Sequence, residues 1–440
     1  MSNSMSTTEK LNNSRKKMAI FPWIVCGLGA LFYTYEYILR ISPSVMSTEL
    51  MQAYGISAGA FGNLIAFYYY AYSPMQLPVG LLVDRYGPRR LLTLACIVCA
   101  IGSYLFASSG HIGVAGFGRF LVGFGSAFAF VGVLKLATIW LPPERFAMVA
   151  GLTGALGSIG ALVGDNVLSG VVAQMGWRST VMITAVLGIV IAVVILLVVR
   201  DSRSSKAKAL DRRTSKVDMA EVLRGMFVVL KNPYIWINGM IGCLLYLPAT
   251  AFAEAWGIPY FRAAQHFSTH EANYAVSAVF LGFTIGGPLM GWFSDKLHNR
   301  RVPMLIGGVI AAACMFIILY VPALPVAAVY GLMLLLGLAF GSQVIVFAVA
   351  RDISTKESAG TSLAVTNMLI MLGGVVFQPM IGMLLDMGWT GEIINNIHIY
   401  TPENYRLAIT SIPICILLGT GLILILKETY HNDHEEYNPS

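Results

Sequence analysis

Glu36 and Arg40 stand four residues apart inside an apolar run at 20–41. On a helix that spacing sets two opposite charges side by side. At 1.5 Å per residue Glu36 lies about 24 Å along the run, in its outer half. Their chemistry is the handling of ions and protons: Glu36 can take a proton or a cationic group, and Arg40 a carboxylate. A snorkelling ion pair at the membrane boundary is the alternative. Arg119, Lys135, Asp165 beside Asn166, and Glu254 also sit in apolar runs. Each such group is costly there and needs a partner or an aqueous cavity. Arg119 keeps its proton, so it needs an anionic counterpart, either a carboxylate or an anionic solute. Asp165 and Glu254 each read either as that counter-ion or a protonation site, or as a structural or interfacial group, the last reading being favoured. Lys135 lies about 160° around the helix from Arg119 and is expected to snorkel towards the inner surface.

Uncharged groups extend the set. Tyrosines crowd the first two runs at 33, 35, 37, 68, 69, 70 and 72, most of them expected as packing or interface anchors. Tyr33 shares a helix face with Gly29, Phe32 and Glu36 and is the best cavity candidate among them. Gln343, Asn367 and Gln378 either line a site or join helices. Cys96 and Cys99 have the spacing of a metal or redox motif but lie in an apolar run without a histidine nearby, so they read as small core residues. The seven histidines fall in loops or tails, which argues against a metal site or a histidine proton relay. No Gly-x4-Gly-Lys-Ser/Thr loop is present, so energy from ATP is not expected and no cofactor is implied.

The elements that hold these residues follow from composition. Of 440 residues, 57% are hydrophobic and only 12% charged, and the mean hydropathy is +0.71. So few charges cannot cover a soluble fold of this size. Apolar runs of about 20 residues or more point to membrane helices rather than a β-barrel. Twelve spans are expected: 20–41, 58–83, 91–109, 113–138, 147–174, 180–199, 234–260, 272–294, 303–322, 326–350, 358–386 and 405–426. With the N-terminus inside, twenty-three Lys and Arg fall on the inner side and three, Arg178, Arg262 and Arg406, outside. That bias places both termini in the cytoplasm and accounts for the net charge of +7 without nucleic acid. The basic segment 200–233 reads as a cytoplasmic linker that touches anionic lipid. It divides a bundle at 20–199 from a bundle at 234–426, with tails at 1–19 and 427–440.

The bundles repeat. Gly80-Leu-Leu-Val-Asp84-Arg85-Tyr-Gly87-Pro-Arg89-Arg90 follows the second span, and Gly291-Trp-Phe-Ser-Asp295-Lys296-Leu-His-Asn-Arg300-Arg301 follows the eighth, 211 residues on. Duplication with a pseudo-two-fold axis along the membrane normal is implied. Gly80 is expected to let two helices approach closely. Asp84 is expected to accept from a helix N-terminus. The arginines are expected to pair with acids nearby, as a latch that opens when the halves rock. Asp295, Arg300 and Arg301 form its second copy.

These stretches resemble the loop signatures of the major facilitator superfamily. Arg119-Phe-Leu-Val-Gly123-Phe-Gly125 resembles its fourth-span signature, and Gly176-Trp177-Arg178 before the sixth span is also similar. The resemblance covers essentially the whole chain. It implies an all-α membrane protein of twelve transmembrane helices in two pseudo-symmetric six-helix bundles, and it ties Arg119 to coupling or to locking of the first bundle. Gly151, Gly160 and Gly164 follow the family's antiporter signature, but Asp165, Leu168 and Ser169 depart from it, which makes symport or uptake the better expectation. Span 1 is weakly similar to bacterial members that handle organic anions, amino acids, peptides or siderophores.

The function expected is secondary transport of a small charged or zwitterionic organic solute, coupled to a proton or another cation, by a monomer in a bacterial inner membrane. An exporter, or a receptor that keeps the fold, is the alternative. An intramembrane enzyme is disfavoured, because no nucleophile–base or metal constellation is visible.

Overall fold

The computed structural model describes residues 7–201, 227, 229–355, 358–394 and 397–430, and of residues 7–19, 147 and 397 the backbone alone. Most of the 200–233 linker and the basic residues of the N-terminal segment lie outside the described side chains.

Eleven helices among the described residues are long and apolar enough to cross a membrane. Numbered by position, they are span 1 (Ile20–Val45), span 3 (Pro88–Ser108), span 4 (Ile112–Trp140), span 5 (Pro143–Met175) and span 6 (Trp177–Val198). The second six-span set contributes span 7 (Pro233–Ala264), span 8 (Thr269–Leu297), span 9 (Arg301–Tyr320), span 10 (Val326–Asp352), span 11 (Ala359–Met387) and span 12 (Pro402–Ile423). Span 2, the twelfth, is Ala58–Met75 continued by Val79–Tyr86. Its tyrosines and Asn63 keep its hydropathy below that of the others. The end of the bundle that carries the 80–90 turn is called inner here, and the opposite end outer.

Local signals explain the boundaries. Ser57 caps span 2 by accepting from the Ala60 amide, Asn232 and Pro233 open span 7, and Ser268 with Glu271 forms a reciprocal capping box on span 8. Gly87, at φ +83°, makes the tight turn between spans 2 and 3 in a conformation that side chains rarely adopt. Span 1 runs on to Val45, past the expected end at residue 41 and past Pro43. Two outer elements were not expected: a short helix, Ser47–Tyr54, and a two-residue antiparallel ladder pairing Ile393 with His398.

Three helices depart from regular α geometry. Gly164–Leu168 in span 5 and Pro248–Trp256 in span 7 are widened π-type turns. Gly341–Val344 in span 10 is tightened to 3₁₀. Such irregularity is tolerated at membrane depth where neighbouring helices cover it, and it concentrates at functional sites. Asp165 lies in the first, Glu254 in the second and Gln343 in the third.

Within a set the most extensive packing joins spans 3 and 4, and spans 8 and 10. Gly102 and Gly118 bring spans 3 and 4 so close that neither position has room for a Cβ. Between the sets, span 2 lies along span 11, span 5 along span 8, and span 1 against span 7.

Candidate functional site

Spans 1, 2, 4 and 7 bring four charges together. Arg40 is at the centre, 4% exposed, and Glu36 is fully buried. One guanidinium nitrogen of Arg40 lies 2.8 Å from Glu36 Oε1, and its Nε donates to the Tyr68 hydroxyl at 3.0 Å. That hydroxyl donates in turn to Glu36 Oε2 at 3.0 Å. The i,i+4 pair read from the sequence is therefore closed into a ring by a tyrosine of span 2. Arg40 also reaches the second helix set: its Nη1 is 3.8 Å from Glu254 Oε1. The Tyr69 hydroxyl donates to the other Glu254 oxygen, while Glu254 Oε1 has no hydrogen-bond donor. The rings of Tyr37, Tyr72 and Tyr68 surround the guanidinium at 4.4, 5.0 and 5.3 Å, where their π faces stabilise a cation.

Arg119 joins this group by a different route. It donates to the backbone carbonyls of Leu39 at 2.7 Å and Arg40 at 3.2 Å. The reason is local: in a helix the Leu39 carbonyl would bond the amide of residue 43, but Pro43 has no N–H. Arg119 shares that vacancy with the Ser42 hydroxyl, which donates to the same carbonyl at 3.0 Å, and lies over the Tyr68 ring at 5.4 Å. The hydrogen-bond partners of Arg119 are thus backbone carbonyls, while Glu254 acts on it through its charge alone. Gly123, one turn along span 4, permits this, because its position against the Tyr68 carbonyl has no room for a side chain.

The remaining candidates are placed as follows. Tyr33 packs between Tyr37 and Phe130 at 5.2 and 5.3 Å, while Tyr68 and Tyr69, read as packing, are the ones bonded to the carboxylates. Asp165 is fully buried at the seam of spans 5 and 8, where Ser277 Oγ lies 3.5 Å from its Oδ2. Gln343 is buried in the 3₁₀ turn of span 10. Cys96 and Cys99 are unbridged and face backbone carbonyls of Gly188 and Val122. Among the described residues no three His, Cys, Asp or Glu side chains cluster to hold a metal.

The inner signatures bond differently in the two copies. Asp84 pairs with Lys135 at 2.8 Å, so Lys135 reaches inward to a partner rather than to water alone. The backbone amide of Arg89 donates to Asp201 and its guanidinium to the Leu196 carbonyl. Arg85 lies over Tyr86, and Arg90 is exposed. In the second copy Arg300 is buried and pairs with Asp295 at 2.7 Å and Asp352 at 3.3 Å. Glu428 accepts from the amides of Arg300 and Arg301, and Arg301 donates to carbonyls at the end of span 12. The N-terminus of each set's third span therefore rests on an acid that follows that set's sixth span: Asp201 or Glu428. The close approach expected at Gly80 is not found. A side chain there, or at Gly291, would meet open space, because the tight glycine contacts fall deeper in the bundle.

One outer residue escapes the sequence reading. Asp386, at the end of span 11, accepts from Ser57 Oγ at 2.6 Å, the Gly59 amide at 2.9 Å, the Ala58 amide at 3.1 Å and the Tyr400 hydroxyl at 2.6 Å. An anion is thereby seated on the first amides of span 2. Burial, then the bond to Asp386, raises the Tyr400 phenol above its ordinary pKa, so it remains a donor. A sequence signal exists: Gly382-Met-Leu-Leu-Asp386-Met-Gly-Trp389 repeats Gly170-Val-Val-Ala-Gln174-Met-Gly-Trp177.

Two bundles of membrane helices around a buried cluster of opposite charges define a transporter architecture. The chain belongs to the major facilitator superfamily, whose sequence model matches residues 23–378. It is 25% identical to the membrane sensor protein UhpC of Salmonella typhimurium over 86% of this chain and 87% of that one. It is 23% identical to the "Probable galactarate/D-glucarate transporter GudP" of Escherichia coli, over 93% and 95%. It is 23% identical to the glycerol-3-phosphate transporter of Bacillus subtilis, over 88% and 90%. Among solved structures, a bacterial homolog of the human lysosomal transporter Spinster in an inward-facing, unoccupied conformation superposes with a TM-score of 0.75. That match has 16% identity and covers 92% of this chain and 97% of that one, a likeness of fold.

Proposed function

We propose that this protein carries a small organic anion across a bacterial inner membrane by alternating access, with a proton as the coupling ion. Both termini are cytoplasmic in this reading, a monomer suffices, and the halves 20–199 and 234–426 rock about the site. The observation that carries it is the position of Arg40 between Glu36 of its own span and Glu254 of the opposite half. Glu36, Glu254, Arg40 and Arg119 sum to zero charge. An incoming carboxylate or phosphate must compete with the glutamates for Arg40. A proton on Glu254 removes one competitor and offsets one negative charge of the incoming solute. Proton and anion therefore enter together, which is symport.

Of the solute classes open from the sequence, organic anions fit best, since relatives are named for galactarate/D-glucarate and glycerol-3-phosphate. The sensor relative supports a second reading, a receptor that binds without transport.

The test is uptake of labelled galactarate, glucarate and glycerol-3-phosphate into proteoliposomes under an imposed pH gradient. At least one should accumulate, and a protonophore should abolish the accumulation. Arg40→Ala should lower uptake about a hundredfold or more, because it strands Glu36 and removes the anion's partner. Glu254→Gln should keep solute counterflow but lose proton-driven accumulation. Saturable binding without label exchange establishes the receptor instead, and exchange indifferent to pH removes the proton.

A further inference from the structure

Asp165 is a fully buried carboxylate that makes no ion pair among the described residues. Its Oδ1 has no donor, and Ser277 Oγ, at 3.5 Å from Oδ2, is a weak partner. Beside it, the Asn166 Nδ2 group donates to the Leu162 carbonyl and to Ser277 Oγ, both at 2.9 Å. Those two bonds fix the amide's orientation and leave Asn166 Oδ1 buried without a donor. One turn outward on span 8, on the stripe that carries Ser277 and Thr284, Asn273 is fully buried with neither side-chain atom bonded.

Three buried oxygens, Asp165 Oδ1, Asn166 Oδ1 and Asn273 Oδ1, thus lack any donor at one helix seam. A proton on Asp165 and the unbonded Asn273 Nδ2 group are the donors this cluster can offer, and the Asn273 amide cannot satisfy its own Oδ1. A hard cation takes several oxygens at once and neutralises the carboxylate as well. The turn Gly164–Leu168 that carries Asp165 and Asn166 is widened from regular α geometry, as is common at functional sites.

We infer that Asp165, Asn166, Asn273 and Ser277 bind a monovalent metal cation of the Na⁺ class between spans 5 and 8. Two ligands come from each half, so the ion favours the arrangement in which the outer parts of these spans are together. Its residues are distinct from those of the Arg40 cluster, although Asp165 feels the charge of Glu254, and it goes beyond the proton assigned there.

The test is thermal unfolding of the purified full-length protein in detergent, with NaCl replacing choline chloride at constant ionic strength and fixed pH, and KCl as comparison. The wild type should show a saturable rise in melting temperature with NaCl. Asp165→Asn should abolish the rise, and Ser277→Ala should weaken the apparent Na⁺ affinity roughly tenfold. Glu403→Gln, an exposed acid at the outer end, should leave it intact. Equal melting of the wild type in NaCl and choline overturns the site. So does a full NaCl response in Asp165→Asn, or a response to pH alone. If Asp165→Asn is not monodisperse, Asn166→Ala and Ser277→Ala decide by the same readout. Because the shift needs no solute, failure of anion uptake leaves this result standing, and loss of the shift leaves the transport reading standing.

Discussion

Spans 2 and 11 meet across the two halves, and so do spans 5 and 8; in a duplicated chain the two seams should match. Their sequences nearly do: Gly-x3-Asp386-Met-Gly-Trp closes span 11, and Gly-x3-Gln174-Met-Gly-Trp closes span 5. Their structures do not. Asp386 uses both carboxylate oxygens on the start of span 2, and the same seam is joined again near its inner end by Asn367 with Gln76 and by Ser73 with the Met368 carbonyl. Gln174 is exposed, and span 8 caps its own start with Ser268 and Glu271. The 5/8 seam is joined at Asn166–Ser277 and Ser158–Thr284, and it holds a carboxylate only half engaged. A seam whose carboxylate is satisfied by the protein has little to gain from a ligand. One left with open acceptors gains much, because a buried unpaired oxygen carries its full desolvation cost. The duplicated scaffold thus supplies one clasp and one site.

This contrast can be broken by exchanging its parts. The largest effect should come from Asp386→Ala, which removes a charge-assisted cap and leaves the buried Gly59 amide unpaired, the Ala58 amide keeping the Tyr400 hydroxyl; a loss of about 3 kcal/mol is expected in denaturant or thermal unfolding of the purified protein. Wild-type stability in that variant would mean that span 2 is held without the clasp. Next is Ser268→Ala. It removes the cap that span 8 supplies for itself and should cost about 1 kcal/mol by the same measurement. Smallest is Gln174→Asp, which restores the clasp residue to the second seam. It should lie within about 0.5 kcal/mol of wild type while Ser268 occupies the amides, and should recover stability only in the Ser268→Ala background. A large gain from Gln174→Asp alone would show that the two seams differ in that one residue.

Much of the site is legible in the amino-acid sequence, and the reasons differ by residue. Glu36 with Arg40 is an i,i+4 pair on one helix, so spacing alone reports it. Asp165 and Glu254 are visible because an acid among apolar residues is conspicuous. The π turns that carry them are not, since a one-residue widening leaves no mark in the pattern of apolar positions. Arg119 stands out by its charge, but charge alone does not report that its hydrogen bonds go to backbone carbonyls. Pro43 opens the Leu39 carbonyl by local rules alone, yet only the packing of Gly123 on span 2 brings Arg119 to it. Tyr68 and Tyr69 are hidden among neighbours of the same type, and nothing in a run of tyrosines says which hydroxyls meet carboxylates. Asp386 stands at a span boundary, where an acid usually reads as a solvated end.

Composition, span length and the distribution of Lys and Arg determine from sequence that this chain is a bundle of membrane helices built twice, because the cost of placing each residue in hydrocarbon is a property of that residue and its near neighbours. Tertiary structure alone decided that Arg40 reaches Glu254, that Asp386 clasps span 2 and that Asp165 is left with an open oxygen. Those pairings join segments distant in the chain, and their energies depend on which groups are desolvated together, which no stretch of sequence specifies by itself.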